Sequence, residues 1–230
     1  MADAAVPRGD LLRDIDATPV AGVPNRWELD LTPAWNVFYV FGGTSMAATL
    51  RAAERTVARP DLHLQTATAT FCSPVPSGPI VLDGRVLRDG RSAAQATAEL
   101  RVGTPSSVGE PCGPDADGPA IHMTTVFGDR TNLHVDYVDL EFPDDVPPPE
   151  ECSDPRQRGR APGEGDNPFM PINYHHQIDW RGAVGHTPED RDWEPGPARY
   201  AAWMRFREEP RLPDGRIDPV ALAVPADSLG

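Results

Sequence analysis

The stretch YVFGGTSMAATLRAAERT, residues 39–56, joins a hydrophobic run to a helical pattern through two adjacent glycines. Met46, Leu50, Ala53 and Val57 recur at helical spacing and predict one amphipathic helix with a narrow stripe of mostly small residues. Thr44 or Ser45 is the expected N-cap. Upstream, Trp27–Val40 (WELDLTPAWNVFYV) predicts one or two short strands. Downstream come four strand-like runs: Leu62–Phe71, Ile80–Leu87, Ser92–Val102 and Ala120–Phe127. The turns SPVPSGP and RDGR separate the first three, which predicts an antiparallel meander. Such a chain buries its stripe only by laying the helix on the sheet, so the expected class is α+β.

Two readings of Gly42-Gly43 are open. A tight strand-to-helix turn uses glycine for its backbone freedom. Alternatively, the unpaired N–H groups of a helix start favour an anion, and glycine lets a ligand approach them closely.

Composition narrows the function classes. The chain has 230 residues, 39% of them hydrophobic, enough for one large domain or two small ones. Its net charge of −14 argues against non-specific binding to nucleic acid or an anionic membrane, which needs a basic field. All 21 basic residues are arginine, which excludes Schiff-base chemistry on a lysine. Cys72, Cys112 and Cys152 are too few for a disulfide framework, and no CxxC occurs. The N-terminus lacks the basic and apolar regions of a signal peptide, and no apolar run reaches membrane-spanning length. The expectation is a soluble, cytoplasmic protein with reduced thiols.

From Pro143 to Pro171 eight prolines and many charges predict an irregular connector. The order then restarts. His175–Val184 and Ala198–Phe206 read as strands, and Asp218-Pro219 as the N-cap and first residue of a helix through PVALAVPADSL, kinked or frayed by Pro225. The expected domains are therefore 1–142, a connector at 143–171, and a second unit at 172–230.

The ordered set FGGTSMAATLRAA, FCSPVPSGPIVLDGRVLRDGRS and TVFGDR, then WMRFREE and DPVALAVPADSLG, resembles the thioesterase II (TesB-like) acyl-CoA thioesterases of the double-hotdog superfamily. In a hotdog an antiparallel sheet wraps a central helix, and here the pattern occurs twice. The first copy has four strands after its helix. The second has none before Gly230, so the expectation is a longer natural chain whose second hotdog is cut off here.

The resemblance implies hydrolysis of acyl-CoA to a free fatty acid and coenzyme A by an activated water, in bacterial fatty acid metabolism. It implies no cofactor, an acyl-CoA substrate, and homo-oligomers through hotdog sheets. By the same resemblance Asp227 corresponds to the aspartate that orients or activates the water, with a threonine and a glutamine supplied from later strands. Gly42, Gly43 and Thr44 are the expected substrate-binding residues at the helix start, where an N–H group would stabilise the oxyanion. Arg88 and Arg91 flank a hairpin turn and suit coenzyme A phosphates, or else pair with Asp89. His175 and His176, adjacent in an expected strand, point to opposite faces, and no HExxH or HxE motif occurs, so no metal is expected. GDNPFMPINYH, residues 165–175, echoes the hydratase branch of the superfamily but departs from its D-x-N-P-x-H pattern. An enoyl-CoA hydratase-like enzyme and a non-catalytic acyl-CoA-binding protein are the alternatives. Free-thiol titration of the denatured, unreduced protein is expected to find all three cysteines; a missing pair of thiols would overturn the compartment argument.

Overall fold

The computed structural model describes residues 8–106, 118–129, 139, 141–152, 172–186, 194, 196 and 199–228. Around the first long helix run α1 (Leu11–Asp14), β1 (Thr18–Pro19), β2 (Arg26–Leu31), α2 (Gly42–Val57), β3 (His63–Phe71), β4 (Gly78–Asp89), β5 (Ala93–Val102) and β6 (Ile121–Gly128). The second part holds β7 (Ile178–Val184), β8 (Ala201–Phe206) and α3 (Ala223–Asp227). Strands β1 to β6 form one antiparallel sheet in the order β1-β2-β4-β5-β6-β3, and β7 pairs with β8 in another.

All four strand runs downstream of the helix are strands. The meander is corrected, however: β3 pairs with β6 at the far edge, from His63 opposite Gly128 to Phe71 opposite Ile121. Residues 72–77 therefore cross from one side of the sheet to the other. Three strand spacings are about 14 Å, and six extended residues reach about 20 Å. Proline and glycine mark where a strand stops, but an extended linker need not return the chain to its neighbour. Only β4, β5 and β6 run as a meander.

Helix α2 lies on β4, β5 and β6. Ten of its 16 residues are buried, among them Gly43, Ala47, Ala48, Ala52 and Ala53. The expected stripe is thus only part of the buried surface, and its ends, Met46 and Val57, are half-buried. Sheet positions beneath it are small too: Ala94, Ala96 and Ala98 of β5 are buried. Closeness is extreme at Gly84 of β4, where a Cβ would stand 1.8 Å from Thr56 Oγ1. Neither expected cap residue caps the helix. It starts three residues earlier than a Thr44 cap would place it, at Gly42, and Phe41 is its N-cap, with no side-chain hydrogen bond. Ser45 instead donates to Gly42 O at 2.9 Å from inside the first turn.

The expected strand over Trp27–Val40 is β2 followed by a 3-10 turn at Pro33–Trp35 and a bridge between Asn36 and Val40. Pro33 fixes the turn, and Thr32 caps it by accepting from Ala34 N. A buried, bidentate pair, Arg26 to Asp83 at 2.6 and 2.9 Å, joins β2 to β4. His175 and His176 are corrected as well: they lie in a 3-10 turn, Asn173–His176, and the strand starts at Ile178. Asp218 is an N-cap as expected, accepting from Val220 N, with Pro219 next. The helix after it is split into a 3-10 turn, Pro219–Leu222, and α3, because Pro225 has no N–H to give to the turn before it.

One apolar cluster spans both parts of the chain, from Leu11, Ile15, Trp35 and Leu50 to Tyr174, Ile178, Val220 and Val224. Buried Gln177 stitches it polarly: it accepts from Gly9 N at 2.8 Å and donates to Ala34 O at 3.1 Å. Asp218 also forms an ion pair with Arg51 of α2, tying the second part to the first. Within the expected connector, the described residues 143–152 hold one 3-10 turn, Pro149–Glu151, and residues 153–171 lie outside the described set. Cys72 and Cys152 are free thiols, and Cys112 lies outside the described residues. No described helix is long and apolar enough to cross a membrane.

Gly84→Ala should overpack the helix–sheet contact and cost about 1–3 kcal/mol. Thermal melts check this, and Thr56→Ala in the same chain should recover part of the loss by removing the hydroxyl that the new methyl meets.

Candidate active site

Neither Gly42 nor Gly43 has a positive φ, so the turn does not require glycine. What requires it is the approach of α3. A Cβ on Gly43 would lie 2.6 Å from Val224 Cα and 2.7 Å from Ala223 O, both backbone atoms. A Cβ on Gly42 would lie 2.6 Å from Asp227 Oδ2. The open glycine question thus resolves into close approach, with a carboxylate of this chain as the visitor.

Gly43 N–H donates to Asp227 Oδ2 at 2.8 Å. The helix start therefore holds an anion where its unpaired N–H groups and macrodipole favour one. Thr44 N and Ser45 N both donate to Phe41 O, at 3.0 and 3.2 Å. The amide of Gly42 is the donor of this turn left without a partner among the described residues. Burial pushes the Asp227 carboxyl above the ordinary aspartate value, and the Gly43 bond pulls it partly back.

A cavity of about 210 Å³ opens beside this carboxylate. Val37, Phe41, Ile178, Trp180 and Met204 give it apolar walls, and Tyr174, His175, Asp227 and Ser228 are its polar lining. Strand register brings two of the wall residues together, since Trp180 of β7 stands opposite Met204 of β8. Phe41 and Tyr174 stack with centroids 4.1 Å apart. Tyr174 Oη lies 2.7 Å from Ser228 Oγ, which donates to Val224 O at 2.9 Å. Apolar walls around one carboxylate can hold an acyl chain and position a water at its reacting end. Sequence reading passed over Tyr174 and Ser228. Ser228 follows Asp227 directly, but nothing local marks Tyr174, whose approach depends on the 3-10 turn docking onto Asn36 through Tyr174 N–H.

Gly42, Gly43 and Asp227 meet here. Thr44 does not join them: it is fully buried in α2 and its hydroxyl has no hydrogen-bond partner among the described residues, and of these four residues Asp227 alone lines the cavity. Arg88 and Arg91 stand at the opposite end of α2, about 24 Å away by helix rise. There Arg59, just past the helix, bonds Asp89 at 2.7 Å and the carbonyls of Gly90 and Arg91 at 3.3 Å. Asp89 is thus paired with Arg59 rather than with its hairpin neighbours. Among the described residues no group of three His, Cys, Asp or Glu is placed to hold a metal.

Residues 31–128 match the family model of the acyl-CoA thioesterase N-terminal domain. No curated protein matches the sequence. Among solved structures, a hot dog-fold protein of unknown function from Alicyclobacillus acidocaldarius is 20% identical with a TM-score of 0.67, the match covering 96% of this chain and 69% of that one. An acyl-CoA thioesterase II from Mycobacterium marinum is 19% identical with a TM-score of 0.61, over 96% and 69%. A proposed thioesterase from Novosphingobium aromaticivorans is 27% identical with a TM-score of 0.63, over 91% and 71%.

Gly43→Ala should destabilise the protein, since two backbone atoms of α3 block the methyl. Gly42→Ala should spare the melting temperature and displace Asp227, so amide exchange at Gly43 should rise in that variant. Equal melting losses in the two variants would contradict this division. Residues 31–128 thus resemble the acyl-CoA thioesterase N-terminal domain, and over nearly its whole length the chain shares the hotdog fold of these solved structures.

Proposed function

We propose that the protein hydrolyses acyl-CoA thioesters to a free acid and coenzyme A, with water as nucleophile and Asp227 as the group that orients and activates it. The observation that carries the reading is the Asp227 carboxylate, fixed by Gly43 N–H and lining a cavity with apolar walls. The acyl chain lies along the apolar walls. Water donates a proton toward Asp227 and its oxygen attacks the thioester carbonyl carbon. The carbon–sulfur bond of the resulting tetrahedral species then breaks. The proton taken by Asp227 leaves with the thiolate of coenzyme A.

The oxyanion needs a donor that Asp227 does not already occupy. Gly43 N–H is committed, so Gly42 N–H takes that part, supported by the helix start behind it. A carboxyl held above its ordinary pKa is a stronger base than a solvated aspartate. Arg88 and Arg91 are left out of this step because they flank the far end of α2.

Asp227→Asn keeps the size and the oxygen that accepts from Gly43, and removes the base. It should lower kcat by about two to four powers of ten with little change in KM. Thiol release from short, medium and long acyl-CoAs measures this, and undiminished kcat would move catalysis elsewhere. Hydration of an enoyl-CoA, seen as loss of its absorbance without thiol release, would favour the hydratase alternative. In the parent protein, activity should fall on acidification through a midpoint above the ordinary aspartate value. The stability sign is opposite. A raised carboxyl pKa stabilises the fold below its unfolded value, and that contribution is lost as pH rises through the folded value. Asp227→Asn should therefore melt no lower than the parent at neutral pH.

A further inference from the structure

Three distant segments close a ring of contacts around the carboxylate. Gly43 N–H binds Asp227, and Asp227 is followed by Ser228. Ser228 Oγ lies 2.7 Å from Tyr174 Oη, and the Tyr174 ring stacks on Phe41. Phe41 is the N-cap of the helix that begins Gly42-Gly43. The direction of the hydroxyl pair follows from proton accounting. Ser228 has one hydroxyl proton and gives it to Val224 O at 2.9 Å. The phenol of Tyr174 is therefore the donor to Ser228.

We propose that Tyr174 is a positioning residue for Asp227, acting through Ser228. α3 has five residues and ends at Asp227, where a short helix would otherwise fray. The Tyr174 bond ties the residue after Asp227 to a ring stacked on Phe41. Asp227 Oδ2 is thereby kept on Gly43 N–H, and the other carboxylate oxygen is left for the water. This rests on the hydrolytic reading of Asp227 for its consequence in catalysis, but the mechanical link stands on the contacts alone.

Two measurements on the full chain separate those layers. In the first, the Gly43 amide is followed by two-dimensional NMR against pH, with Asp227→Asn identifying the shift that reports ionisation of the carboxylate. Tyr174→Phe keeps the ring and removes the donor; it should speed exchange of the Gly43 amide at least tenfold and move the titration toward the ordinary aspartate value. Ser228→Ala should do the same, and the double variant should add little. An unchanged Gly43 amide in Tyr174→Phe overturns the proposal.

The second measurement is thiol release from acyl-CoA. Tyr174→Phe and Ser228→Ala should each lower kcat about tenfold at unchanged KM, with no further loss in the double variant. Loss in KM alone, or multiplying losses, overturns the positioning role. If Asp227→Asn retains activity while the Gly43 amide still responds to Tyr174→Phe, the hydrolytic reading fails, and with it the catalytic consequence, while the mechanical link holds.

Discussion

The contact on which the rest of the structure depends is the approach of α3 to the start of α2. Two glycines permit it, and the hydrogen bond from Gly43 N–H to Asp227 fixes its geometry. The N–H of Gly43 is one of the groups a helix leaves unpaired at its start, and Asp227 supplies the charge that such a group attracts. Replace either glycine with a larger residue and the new side chain meets the backbone of α3 or the carboxylate itself. Because the closest atoms at Gly43 belong to the main chain, no rotamer change relieves that contact.

Small residues carry the same logic along α2. Alanine beneath the helix and alanine upon it bring helix and sheet together, and Gly84 lets Thr56 settle against β4. Close packing of this kind gains many dispersion contacts from modest side chains. It also leaves little slack, so the helix start is held in a fixed position relative to the sheet. The second part of the chain docks onto that rigid start through Gln177, the Asp218–Arg51 pair and the apolar face of Val220 and Val224. A site formed between parts is thus supported from both.

The candidate site is an economy of donors. Of the N–H groups in the first turn, two turn back to Phe41, one serves Asp227, and that of Gly42 has no partner among the described residues. Tyr174 spends its phenolic proton on Ser228 because Ser228 has already spent its own on Val224. Each hydrogen bond fixes the direction of the next. Val37, Phe41, Ile178, Trp180 and Met204, by contrast, give the cavity an apolar side that makes no directional demand.

The strands, the central helix and the Asp218 cap were legible in the sequence because each is a local pattern: alternation, a 3.6-residue stripe, a cap followed by proline. The family resemblance was legible too, since it rests on the order of short motifs along the chain. Pairing was not. Nothing local tells Thr66–Thr70 to lie beside His122–Val126 rather than beside β4, because register and neighbour are settled by which edge remains open once the helix is covered. The cap was misread at Thr44 and Ser45 because polar residues at a helix start are ordinarily caps, whereas here an aspartate 184 positions away does that work. The local sequence marked Gly42-Gly43, and the family resemblance singled out Asp227. Only the tertiary structure decided that they touch, because hydrogen bonds between such distant residues are made by packing, not by propensity.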